Sequence, residues 1–158
     1  MVHTISALVE HRKGVLARVA GLFARRGINI ESLSVNRTHR PELARMTICV
    51  EGSEEVLEQV RKQLEKLIEV VKVYDYSSDP TVERELALIK VTATARTRAE
   101  IIQICNVFRA QIVDVAPESL IVSATGDAEK IEALERMLAP YGIKETSRSG
   151  RVALARGA

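Results

Sequence analysis

Apolar residues follow one order of strand-like and helix-like spacing, and the chain passes through that order twice. "TISALVE" (4–10) reads as a strand. Leu16, Val19, Ala20 and Phe23 then recur at helical spacing, with Arg18, Arg25 and Arg26 largely off that stripe, and Gly27 supplies the stop. "INIESLSVNR" follows as a strand whose apolar phase slips by one residue, from Ile28/Ile30 to Leu33/Val35, which predicts a bulge or late strand start near Glu31–Ser32. "THRPEL" is the turn and "ARMTICVE" the returning strand. "GSEEVLEQVRKQLEKLI" is a helix capped by Ser53, with Val56, Leu57, Val60, Leu64 and Leu67 inward, and "VVKVYDY" closes a β-α-β-β-α-β unit.

After "SSDPTV" the pattern restarts. "ERELALIKVTAT" is a strand, "RAEIIQICNVFRA" a helix, and "QIVDVAPESLIVSATG" a hairpin turning at Ala116–Pro117–Glu118. "DAEKIEALERMLAP" is a helix capped by Asp127, and "YGIKETSRSG" a final strand. The expected fold is α+β, a tandem of two ferredoxin-like βαββαβ units divided as 1–77 and 78–158. With both helices on one face of each antiparallel sheet, the other face needs a cover, so an oligomer is the default expectation.

Composition narrows the function classes. The chain has 158 residues, 46% hydrophobic and 28% charged, which is ordinary for a folded globular protein. A formal charge of +2 is too small to imply a polyanion, and the early cluster of Arg12, Lys13, Arg18, Arg25, Arg26, Arg37 and Arg40 reads as a solvated face. Nucleic-acid binding on a ferredoxin-like sheet stacks bases on aromatics, yet aromatics are 3% of residues and tryptophan is absent. Cys49 and Cys105 stand alone in apolar runs, without CxxC spacing, as buried thiols of a reducing compartment. His3, His11 and His39 are scattered, so no metal site is expected. No apolar run reaches the roughly 18 residues of a membrane span and no signal peptide opens the chain, so the expected location is cytoplasmic. The carboxylates fall on polar helix faces or in loops, with no nucleophile and base in motif spacing, so no catalytic residues are assigned.

Small-molecule binding remains, and the first turn of each unit bears on it. In the second unit Thr97 stands three residues before Glu100, the spacing of a reciprocal capping box. In the first unit the matching turn is "HRKG". Gly14 has no side chain to cap with, and its missing Cβ lets a ligand approach the backbone. The amides of Val15 and Leu16 are therefore either wet or reserved for an anion such as a carboxylate. Asn29, between Ile28 and Ile30, offers both a donor and an acceptor, as an amino acid requires, or else simply faces an edge.

"KGVLARVAGLFARRGINIESLSV" resembles the signature of ACT domains, the amino-acid-sensing ferredoxin-like modules. With "RMTICVEG", "QLEKLIEVVKV", "VERELALIKV", "FRAQIVDV" and "RSGRVALARG", nearly the whole chain is similar to the family of small, regulatory subunits of acetolactate synthase. The resemblance implies an N-terminal ACT domain and a subunit that is not itself an enzyme. Such a subunit activates a separate catalytic large subunit and confers feedback inhibition by valine in branched-chain amino acid biosynthesis. It implies no cofactor in this chain, with thiamine diphosphate, Mg²⁺ and FAD on the large subunit. It further implies a homodimer through the ACT domain, with the effector held by His11, Gly14, Val15 and Leu16 of one subunit and by Asn29 and Ile30 of the other. His11 stands where many members carry Asn, and histidine changes charge near neutral pH, so a weakened or pH-dependent effector response is expected. The alternative is a free-standing amino-acid-binding ACT regulator of another partner.

Overall fold

The computed structural model describes Val2–Gly157. Its contacts divide the chain into two compact units, one running to Val82 together with the tail from Arg151, the other Glu83–Gly150. The first unit is built from β1 (Val2–Glu10), α1 (Val15–Arg25), β2 (Ile30–Arg37), β3 (Leu43–Glu51), α2 (Glu54–Glu65) and β4 (Val70–Asp75). Its sheet has the order β2-β3-β1-β4, and its pairings are antiparallel. The second unit carries β5 (Thr81–Thr92), α3 (Arg98–Val107), β6 (Gln111–Ala116), β7 (Ser119–Gly126), α4 (Ala128–Leu138) and β8 (Ile143–Arg148), in the order β6-β7-β5-β8. The repeated α+β, ferredoxin-like arrangement read from the sequence is the one observed.

Alternation along the strands sorts each core. Ile5, Ala7 and Val9 of β1 meet Met46, Ile48 and Val50 of β3 beneath Val19, Leu22 and Phe23 of α1 and Leu57, Val60 and Leu64 of α2. Ala87, Ile89 and Val91 of β5 pack with Leu120, Val122, Ile101, Leu134 and Leu138 in the second unit. Burying each Leu, Ile or Phe contributes roughly 1.5–3 kcal/mol, which makes these two clusters the chief stabilising term. The anticipated slip in β2 is a register shift between Ile30 and Ser32 opposite Val50 and Cys49. Ser53 and Asp127 cap α2 and α4 by accepting the amides of Val56 and Lys130.

Three details depart from expectation. The inward stripe of α1 is Val15, Val19, Leu22 and Phe23, so Leu16 is turned out and 45% exposed. A ninth strand, β9 (Val152–Ala155), pairs with β5, and Arg156 donates its amide to the Pro80 carbonyl. The sequence reading ended its strands at "YGIKETSRSG". Four residues are too few for a period to declare itself, and their pairing is wholly long-range.

The third departure is at α3. Thr97 has helical φ/ψ of −98° and −16° and makes no cap to its own helix, while Glu100 accepts instead from the Tyr141 hydroxyl at 2.8 Å. The reciprocal box lies three residues earlier. The Thr97 amide donates to Thr94 Oγ1 at 3.3 Å, and the Thr94 amide donates to Thr97 Oγ1 at 2.9 Å. A residue that has already entered the helical region cannot turn its hydroxyl back over the first turn, so the cap falls to Thr94, three residues earlier.

Candidate functional site

Gly14 opens α1 at φ +83° and ψ −10°, in the left-handed region that an L side chain rarely occupies. No side chain caps the helix. The first backbone bond into it runs from Arg18 to the Gly14 carbonyl, which leaves the amides of Val15, Leu16 and Ala17 without an intrahelical acceptor. A Cβ built at residue 14 would meet a single neighbour within 4 Å, Arg18 Nη2 at 4.0 Å, so the approach to these amides is open. Partial positive charge on the amides adds to the helix dipole, and the first turn carries no acidic side chain to neutralise it. Such a turn has the charge and the space that an anion requires. His11 is exposed beside it and is tied down through its own amide, which donates to the Glu42 carbonyl at 2.8 Å.

Asn29 and Ile30 lie elsewhere. Asn29 is exposed and donates from its amide nitrogen to Glu31 Oε1 at 3.0 Å. Ile30 pairs with Val50, which in turn pairs with His3 near the start of β1. The loop carrying His11 and Gly14 leaves the other end of β1, level with Ala44 and with Arg37 at the end of β2. At about 3.3 Å per residue these two groups are roughly 20 Å apart along the strands of one chain. So His11, Gly14, Val15 and Leu16 come together in one protomer, and Asn29 and Ile30 do not join them there.

A cleft of about 740 Å³ opens near the first turn of α2, lined among others by His3, Glu54, Glu55, Glu58, Asp75 and Ser77. Four carboxylates make it a poor place for an anion. His3 within it has a structural task. Its Nε2–H donates to the Gly52 carbonyl at 3.0 Å, because a carbonyl only accepts, and Nδ1 shares a hydrogen bond with the Ser77 hydroxyl at 3.2 Å. Among the described residues no group of three or more His, Cys, Asp or Glu converges as a metal site, and no helix is long and apolar enough to cross a membrane. The second unit's Cys105 is buried, which pushes its thiol up and keeps it from acting as a thiolate.

Arg18 and Glu69 are the residues that sequence reasoning missed. Arg18 Nε donates to Glu69 Oε2, and the Glu69 backbone carbonyl accepts the Glu10 amide at 2.9 Å. Glu69 lies on the turn between α2 and β4, and separations of this kind leave no local signal.

A glycine-opened helix on a βαββαβ sheet with β2 at its edge is the arrangement expected of the ACT class, followed here by a second ferredoxin-like unit. Family comparison agrees. Residues 5–72 match the AHAS small subunit-like ACT domain, and residues 84–157 match the small subunit of acetolactate synthase. A probable acetolactate synthase small subunit of Archaeoglobus fulgidus is 55% identical over 157 residues, covering 99% of this chain and 98% of its own. The acetolactate synthase small subunit of Mycolicibacterium smegmatis is 55% identical over 155 residues, covering 98% and 91%. The crystal structure of the small subunit from Thermotoga maritima superposes with a TM-score of 0.90 at 41% identity, over 100% of this chain and 99% of that one. The chain belongs to the acetolactate synthase small-subunit family.

Proposed function

We propose that this chain is the regulatory subunit of a two-component acetolactate synthase. In this reading it activates the catalytic large subunit and imposes feedback inhibition by valine, the effector carboxylate resting on the amides at Val15 and Leu16 beside Gly14. The open, uncapped first turn of α1 is the observation that carries the reading. Thiamine diphosphate, Mg²⁺ and FAD belong in this reading to the large subunit.

The distance between the two halves of the site gives a reason for dimerisation. β2 is an edge strand. Two copies joined antiparallel along β2 place the end of β1 in one protomer level with the start of β2 in the other. That two-fold brings His11, Gly14 and Leu16 of one subunit to Asn29 and Ile30 of its partner, one complete site at each end of the shared edge. The outward turn of Leu16, the exposed small residues Ala17 and Ala24 and the half-exposed Val35 supply apolar surface for such a contact. The domain division proposed with it assigns 1–77 to effector binding and dimerisation and 78–158 to a C-terminal ferredoxin-like domain.

The deciding experiment is acetolactate formation by the cognate large subunit, with and without this chain, across a valine titration at pH 6 and pH 8. Activation that valine reverses is the expected result. Activation unaffected by valine at either pH would refute the effector site, and absence of activation would refute the subunit role. His11→Asn is expected to strengthen the valine response and reduce its pH dependence. Identical curves for the two proteins would remove His11 from the site.

A further inference from the structure

The two units can be superimposed by their hydrogen bonds, and doing so exposes a reversal of charge at the ligand turn. In each, the pairing between the first and last strands is interrupted by a register shift, at Leu8/Val9 and at Lys90/Val91. Val9 pairs with Val70 as Val91 pairs with Ile143. The next amide then reaches the turn before the last strand, Glu10 to the Glu69 carbonyl and Thr92 to the Gly142 carbonyl. Counting on from Val9 and Val91, Gly14 falls opposite Arg96 and Val15 opposite Thr97. Val19 then matches Ile101 and Phe23 matches Cys105, and all four of these are core residues. Arg18 therefore falls opposite Glu100.

Both residues do the same mechanical task with opposite charge. Arg18 reaches from the helix to Glu69, and Glu100 accepts from Tyr141, each partner standing just before the last strand of its unit. Around the start of α3 the turn is closed by the Thr94–Thr97 box and faced by a carboxylate. The matching positions in the first unit are Arg12 and Val15, which have no hydroxyl, and the facing group is a guanidinium.

The Arg18 side chain is 53% exposed, whereas that of Glu69 is 10% exposed. Nε is committed to Glu69, and Nη2 is directed at the open space over Gly14. A side chain at this point of a helix leans toward the N-terminus, so the guanidinium lies over the first turn. A guanidinium fork pinned through one nitrogen presents its remaining N–H groups in a fixed plane, where the charge-assisted bond to a carboxylate is stronger than one to an uncharged amide or alcohol.

We infer that Arg18, positioned by Glu69, reads the carboxylate of the amino-acid effector, where the matching position of the second unit holds the opposite charge of Glu100. This rests on the effector reading above and goes beyond it by assigning the residue that sets charge selectivity. The test measures binding of L-valine and of L-valinamide to the full-length protein by calorimetry. Wild type is compared with Arg18→Gln/Glu69→Gln, which removes both charges together and leaves no buried carboxylate unpaired, and with Arg18→Lys.

Wild type is expected to prefer valine over valinamide by at least tenfold. The double variant should lose most of that preference through weaker valine binding, and Arg18→Lys should keep an intermediate preference. A double variant that binds both ligands more weakly with the ratio intact makes Arg18 a structural residue and overturns the assignment. An unchanged double variant does the same. Gly14→Asp, measured alongside, separates the two layers. If it abolishes valine binding while the Arg18 variants do not, the site stands without Arg18. If wild type binds neither ligand, the assignment falls together with the effector site.

Discussion

Individual side chains decide the behaviour of the first turn of α1. Gly14 sits at φ +83°, so Gly14→Ala is expected to destabilise the first unit by about 1–2 kcal/mol, from left-handed strain alone, because the space for a methyl group is open. Urea unfolding would read this as a lower midpoint with an unchanged slope. Arg18→Gln alone leaves the carboxylate of Glu69 buried without its cation, at a cost of roughly 1–3 kcal/mol, moderated because the arginine is half in water. Adding Glu69→Gln should recover most of it, and a double-mutant cycle measures the coupling. Cys105 supplies a pH dependence. Burial raises its thiol above the ordinary value of 9.0. The unfolded chain therefore deprotonates first, and the stabilisation, complete below the unfolded pKa, is lost as pH rises toward the folded one. Cys105→Ala is expected to flatten that alkaline loss while lowering stability near neutrality by the cavity it leaves. Native Cys105 should also resist alkylation until unfolding. Glycine, charge and cysteine were each visible in the sequence. The Arg18–Glu69 pair was not, since nothing local to residue 18 announces a partner on a distant turn.

Caps and strand pairings come next. Ser53 and Asp127 were legible because each stands directly ahead of a helical period and accepts the amide three residues on. Ser53→Ala and Asp127→Ala should each cost about 1 kcal/mol, in separate units, as seen by hydrogen exchange confined to α2 or α4. The α3 box was misplaced by three residues because Thr97-x-x-Glu100 fits the sequence pattern whereas the Thr94-x-x-Thr97 pair that forms does not, and the choice depends on where the chain first turns helical. Thr94→Val should accordingly destabilise α3 more than Glu100→Gln, which keeps an acceptor for Tyr141. The α1 stripe was ambiguous for a related reason. Leu16, Val19 and Phe23, and equally Val15, Val19, Leu22 and Phe23, recur at three- and four-residue steps, and only the sheet beneath selects the second set.

For the chain as a whole, the tail and the free edge carry the consequences. Residues from Arg151 onward group with the first unit, bury Ala153 and bond Arg156 to Pro80. Truncation after Gly150 is therefore expected to raise amide exchange at Thr81 and Val82 while leaving the Ile89–Val122 ladder protected. On the proposed dimerisation along the β2 edge, Val35→Asp is expected to give a monomer in sedimentation and, on the proposed effector reading, to abolish the valine response with it. A monomer that still responds would separate dimerisation from the site. The period of the apolar residues determined two βαββαβ units by itself, because a strand repeats every two residues and a helix every 3.6, and neither pattern tolerates the other. Gly14 and the bulge in β2 followed from local rules of the same kind. What only the tertiary structure decided was long-range: the return of β9 to β5, the Arg18–Glu69 bridge, and the separation of Asn29 from Gly14 by the length of the sheet. Each depends on which segments are brought side by side, and spacing along the chain does not encode that.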